Sequence, residues 1–145
     1  MPAHELRVAE LSYRDALAAA PGCAPATNGL GNVFFKRGEV REAISAYRDA
    51  VAADPTFKFG WFNLGYAAAS SGDFATASSA YDRYTQLEPA DPDGWYGLGE
   101  ARRLSADVQG AVIAYERYVE LESRPSQQGR LDTVKGIIES LRRRR

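Results

Sequence analysis

The sequence predicts an all-α fold of stacked antiparallel helix pairs, and three observations carry that prediction. First, Ala43, Ala77 and Ala111 stand 34 residues apart, and the same step carries Leu30 to Leu64 to Leu98, Gly31 to Gly65 to Gly99, Ala46 to Ala80 to Ala114, and Tyr47 to Tyr81 to Tyr115. A fixed period of this length marks similar supersecondary units, each unable to bury its apolar face without a neighbour. Second, glycine or proline punctuates each unit where one helix must stop and another begin. Third, no strand-like alternation competes, and the alanines at 43, 46, 77, 80, 111 and 114 suit close helix packing and have high helix propensity.

Taken in order, the first element is a helix over 5–21. Stepping back 34 places from the first full unit lands on Glu5, Leu6, Ala9, Tyr13, Ala16 and Pro21, and Tyr-Arg-Asp-Ala at 13–16 recurs at 47–50. These residues read as the second helix of a unit without its first, as expected either of a chain cut from a longer array or of a lone helix that caps the stack by covering the first helix of the next unit. Full units follow at 24–57, 58–91 and 92–125. Gly38 and Gly72 end the first helix of their units, as residues tolerant of left-handed backbone do, and Ala106 takes that place in the third. An acid comes next at Glu39, Asp73 or Asp107, placed to accept from the free N–H groups of the second helix. Pro55 and Pro89 close the first two units. Over 126–142, Leu131, Val134, Ile138 and Leu141 follow helical spacing and predict a capping helix that covers the last unit. Arg142 to Arg145 read as a cationic helix end and a frayed tail, with Arg130 and Lys135 on the same helix. By length, residues 1–145 are expected to form one domain.

The units resemble the tetratricopeptide repeat. The family's Trp, Leu-Gly, Ala, aromatic and Pro positions are met at Trp61, Leu64, Gly65, Ala77, Tyr81 and Pro89, and again at Trp95, Leu98, Gly99, Ala111 and Tyr115. Departures are Thr27 in place of Trp, Ala68 and Arg102 in place of Tyr, Tyr84 and Tyr118 in place of a small residue, and Ser123 in place of Pro. The resemblance implies a right-handed α-solenoid whose first helices line a concave groove, and a non-enzymatic adaptor that binds another polypeptide there. The equivalent lining is Asn28, Asn32 and Phe35, then Phe59, Phe62, Asn63 and Tyr66, then Asp93, Tyr96, Glu100 and Arg103. Exposed aromatic side chains commonly mark binding surfaces, and asparagine can pair with both edges of a peptide backbone. A groove centred on Phe62, Tyr66 and Tyr96, with Asn32 and Asn63 fixing backbone register, is therefore expected. Some members of the family hold C-terminal carboxylates with Lys, Asn, Asn, Lys and Arg. Asn32 and Asn63 match the two asparagines, but Asn28, Asp93 and Gly97 stand where the cations would be. The other reading the sequence offers is the regulatory or substrate-recruiting repeat region of a larger enzyme.

Other chemistries find little support. Gly29-Leu-Gly31 and Gly97-Leu-Gly99 lack the third glycine of a nucleotide loop, since Phe34 and Arg102 stand there, and neither follows a strand. One histidine, His4, and one cysteine, Cys23, provide no His-Cys zinc cluster and no dyad to activate a nucleophile, so neither a catalytic residue nor a metal or cofactor is expected. Acids alternate with bases or amides at helical spacing, as in Asp82, Arg83 and Gln86 or Glu116, Arg117 and Glu120, which reads as a solvated face. Trp61, Trp95, Tyr47, Tyr81 and Tyr115 read as packing between helices. The formal charge of −1 gives no overall attraction to nucleic acid or anionic lipid, and no apolar run is long enough to span a bilayer. The expected partner is a protein or peptide, with self-association through the uncovered N-terminal helix as a second contact. A cytoplasmic location and a bacterial source fit the single thiol and the alanine and arginine usage.

Overall fold

The computed structural model describes residues 2–144, which form eight α-helices and one 3-10 turn, with no strand among the described residues. In chain order these are α1 (Ala3–Ala19), α2 (Ala24–Lys36), α3 (Val40–Ala53), α4 (Lys58–Ser70), α5 (Phe74–Leu87), α6 (Pro92–Leu104), α7 (Val108–Leu121) and α8 (Gln128–Arg143), the turn at Pro125–Gln127 leading into α8. The chain divides into two compact units, Met1–Gly72 and Asp73–Arg145.

Local chemistry sets the breaks. Gly38 and Gly72 stand at φ of +81° and +84°, the left-handed geometry that turns a helix end back on itself. Ala106 does the same job at φ +63° with a Cβ that opposes it. Its turn is nevertheless closed by the bond from the Asp107 amide to the Arg102 carbonyl at 2.8 Å, as Gly38's turn is closed by Glu39 to Phe34 at 2.9 Å. Ala106→Gly is therefore expected to stabilise the protein by about 1 kcal/mol, measured as a higher urea midpoint. An unchanged or lower midpoint would contradict the strain. At the following helix starts, the Asp73 and Asp107 carboxylates accept from the amides of Thr76 and Gly110 at 3.1 and 3.0 Å. Glu39 makes no such bond. Its extra methylene carries the carboxylate past the position from which aspartate caps.

In the first unit α2 packs on α1 and α3, and α3 on α4. Close approach is licensed by absent side chains, since a methyl group at Gly31 would stand 2.5 Å from the Tyr47 ring. The Trp61 indole donates to the Pro55 carbonyl at 2.7 Å, tying α4 to the proline that closes the preceding unit. Trp95 repeats the bond one period later, to Pro89 at 2.8 Å.

In the second unit α6 packs on α5 and α7, and α7 on α8. Val134, Ile138 and Leu141 of α8 are buried against Ala111, Val112, Tyr115 and Tyr118 of α7, with Leu131 half-buried beside them. Both tyrosines that replace a small residue of the repeat pattern, Tyr84 and Tyr118, are buried. Tyr84 fits because Gly94 has no side chain to meet its ring, and its hydroxyl donates to Asp91 at 2.5 Å. The arginine tail differs from the frayed segment expected. Helix α8 continues to Arg143, and Arg142 pairs with Glu116 of α7, because the position after Leu141 still lies near the packed side. Arg145 lies outside the described residues.

Candidate peptide-binding faces

The first unit presents one face built by α2 and α4. Phe59, Phe62, Asn63 and Tyr66 recur at intervals of three and four residues, which places them along one side of α4. Phe59 and Tyr66 are each 56% exposed. Tyr66 meets Phe35 of α2 edge to face, with ring centroids 5.7 Å apart, and Phe59 meets Phe57 at 5.9 Å with the Lys58 ammonium 5.3 Å from its own ring centre. Phe62 is half-buried.

The three asparagines of this face are joined to one another. Asn63 Nδ2 donates to Asn28 Oδ1 at 3.0 Å and, at 3.5 Å, to Asn32 Oδ1, which also accepts from the Tyr47 hydroxyl at 2.6 Å. Burial pushes the Tyr47 hydroxyl up to about 12, so it remains a donor at physiological pH. Asn28 is only 8% exposed and serves as a buried acceptor beneath the face. Asn32 Nδ2 and Asn63 Oδ1 make no hydrogen bond to another described residue, which leaves one donor and one acceptor beside the aromatic rings.

In the second unit the predicted residues of α6 are brought together as a closed polar network. Glu100 accepts from the Tyr96 hydroxyl at 2.9 Å, from the Tyr115 hydroxyl at 2.6 Å and from Arg103 Nη2 at 2.6 Å, while Arg103 Nε reaches the Tyr115 oxygen at 3.0 Å. Burial opposes the Glu100 charge, but the bonds from Tyr115, Arg103 and Tyr96 outweigh it and hold the carboxyl below its usual range. Tyr96 is pushed up to about 12 by burial and by its bond to Glu100. Its ring carries the Arg130 guanidinium at 4.2 Å and leans on Tyr118 at 5.5 Å. Asp93 is engaged by Arg124 at 2.6 Å and Arg130 at 3.3 Å. Sequence reasoning missed this cover from the C-terminal segment, because nothing in a helical period ties Arg130 to residues 34 and 37 places earlier. It also missed Glu122, which is buried and accepts from Arg124 Nε at 2.9 Å, a bond that draws its carboxyl down to about 2.

Elsewhere in the first unit a cavity of about 530 Å³ is lined by Leu17, Leu30 and Phe34 together with Arg14, Glu42 and Asp49. Among the described residues, no group of three or more His, Cys, Asp or Glu side chains is placed to hold a metal ion, and no helix is long and apolar enough to cross a membrane.

No curated protein matches the sequence. Solved structures do resemble it. The tetratricopeptide domain of Sgt2 from Aspergillus fumigatus is 29% identical with a TM-score of 0.69, over 83% of this chain and 82% of that one. The first tetratricopeptide domain of Spaghetti (RPAP3), solved bound to the HSP90 peptide SRMEEVD, is 26% identical with a TM-score of 0.69, over 81% and 94%. MamA, at 22% identity and a TM-score of 0.81 over 94% of this chain and 78% of that one, shares the fold. The family profile described as tetratricopeptide repeat matches residues 3–56 and 62–128. With its period, its helix pairs and that match, the chain is an all-α protein of the solenoid class and belongs to the tetratricopeptide repeat family.

Proposed function

We propose that this chain is a non-enzymatic interaction module that holds an extended segment of another polypeptide against the first-helix face of its first unit. Phe59 and Tyr66 are the anchors, Phe35 and Phe62 the apolar floor, and Asn32 and Asn63 supply a donor and an acceptor for the bound backbone, with Asn28 bracing them from below. Tyr96, Glu100 and Arg103 present the equivalent face of the second unit as a polar, pre-ordered surface. One observation carries the reading: two large aromatic side chains, one turn either side of Phe62 and Asn63, stand more than half exposed on a single helix. Such side chains gain most from being covered. Full burial of each is worth roughly 1.5 to 3 kcal/mol, so the two anchors supply at most about 6 kcal/mol, and the contacts with Phe35 and Phe62 and the backbone hydrogen bonds must add to this before the cost of association is met.

The peptide bound by the Spaghetti domain, SRMEEVD, is acidic towards its C-terminus, and this chain lacks the charges to match such a segment. Asn28, Asp93 and Gly97 supply no cation for paired carboxylates, and Asp93 adds a negative charge already held by Arg124. The favoured segment is therefore one with apolar or aromatic side chains rather than an acidic terminus.

The test is a linear peptide selected from a displayed library against the whole chain, followed by calorimetry on the double variant Phe59→Ala, Tyr66→Ala. Dissociation constants at least about tenfold weaker, with the thermal midpoint preserved, are expected, because both side chains face solvent in the free protein. Equal binding by variant and wild type would contradict the assignment.

A further inference from the structure

We propose that α1 is a self-association element through which two copies of this chain pair antiparallel, using the stripe His4, Val8, Leu11 and Asp15. The stripe differs from the face that a neighbouring first helix would cover. α3 is packed by α2 on one side and α4 on the other, and it buries Ala46 and Ala50, whereas α1 is packed by α2 and leaves the equivalent Ser12 and Ala16 exposed. Val8 and Leu11 lie on neither packed side. Their equivalents one, two and three periods on are Glu42 and Ser45, Thr76 and Ser79, Gly110 and Ile113, so the repeat pattern does not call for an apolar pair there. In α1 both are apolar and stand 50% and 55% exposed.

The occupant follows from the order of the stripe. The spacing of four, three and four residues is that of a short apolar seam, and it reads the same way in reverse about its midpoint. Two such helices related by a two-fold axis set Val8 against Leu11 of the second copy, and Leu11 against its Val8. The same operation sets His4 against the second copy's Asp15 and Asp15 against its His4, an imidazole N–H opposite a carboxylate at each end. Asp15 and His4 make no hydrogen bond or ion pair with another described residue, so both are available. The neighbouring Arg14 is already paired with Glu10 at 2.8 Å, which also holds Arg37 at 2.7 Å and limits repulsion along that flank. A first helix of another repeat would instead fill the slot over Ser12 and Ala16. At about 1.5 Å per residue, the seam is four layers long and falls short of a standard interface, so the dimer is weak, with a dissociation constant on the order of 100 µM.

Sedimentation velocity on the whole chain from about 10 µM to about 1 mM is expected to show a concentration-dependent shift from monomer to dimer. Leu11→Glu is expected to abolish the shift with helicity and thermal midpoint unchanged. Asp15→Arg is expected to weaken association at least about tenfold, because it removes the carboxylate opposite the imidazole N–H, and the double variant His4→Glu, Asp15→Arg to restore it, since each end then joins a carboxylate to a guanidinium. A wild-type chain that stays monomeric throughout, association untouched by Leu11→Glu, or no recovery in the double variant would overturn the proposal.

Discussion

Deletion of residues 126–145 is expected to abolish cooperative unfolding of the second unit and expose it to aggregation. The deletion removes Val134, Ile138 and Leu141, all buried against α7, and uncovers Ala111, Val112, Tyr115 and Tyr118. Each lost side chain is worth roughly 1.5 to 3 kcal/mol, so the three together reach about 4 to 9 kcal/mol, comparable with the whole stability of a domain this size. Removal of 142–145 alone takes away the exposed Arg142–Glu116 pair, whose contribution is below about 1 kcal/mol. Urea unfolding followed by circular dichroism, with light scattering for aggregation, separates the two truncations. A short deletion as damaging as the long one would place the stabilisation in the arginines and not in the apolar stripe.

Gly99→Ala is expected to cost about 3 kcal/mol, an unusual loss for a single methyl group in a helix. The new carbon would stand 2.5 Å from Tyr115 Cδ1. That ring has nowhere to go, because Tyr115 is fully buried and its hydroxyl is fixed by Glu100 at 2.6 Å and Arg103 at 3.0 Å. Gly136→Ala in α8 is the control. A methyl group there meets nothing within 4 Å, and helix propensity alone favours it by up to about 1 kcal/mol. Opposite signs for the two substitutions identify ring contact as the cause, whereas two gains would mean that α6 and α7 are packed less closely than described.

The helices were legible in the sequence because the repeat signature consists of small and apolar residues whose spacing directly reports a packed side. Leu98, Ala111 and Tyr115 are buried for the reason their period suggests, and the left-handed turns at Gly38 and Gly72 follow from what only glycine adopts without strain. Asn28 was legible as part of the α2 lining but not as a buried acceptor, because its burial depends on an amide supplied 35 residues later by Asn63. Tyr96 was read as an open aromatic for a similar reason. Its cover comes from Arg130, a long side chain on a different helix, and periodicity within a helix carries no information about where such a side chain comes to rest. Helical spacing also put Phe62 at the centre of the lining, but of the α4 aromatics there it is Phe59 and Tyr66 that stand exposed while Phe62 is half-buried, a difference that spacing along one helix does not report.

The most direct measurement is amide chemical-shift mapping of the whole chain titrated with a library-selected peptide. The largest changes are expected at Asn32, Phe35, Phe59, Asn63 and Tyr66, with the side-chain amides of Asn32 and Asn63 moving together with the backbone signals of α4. Changes confined instead to Leu17, Leu30, Phe34 and Glu42, around the cavity between α1, α2 and α3, would contradict peptide recognition by the first-helix face.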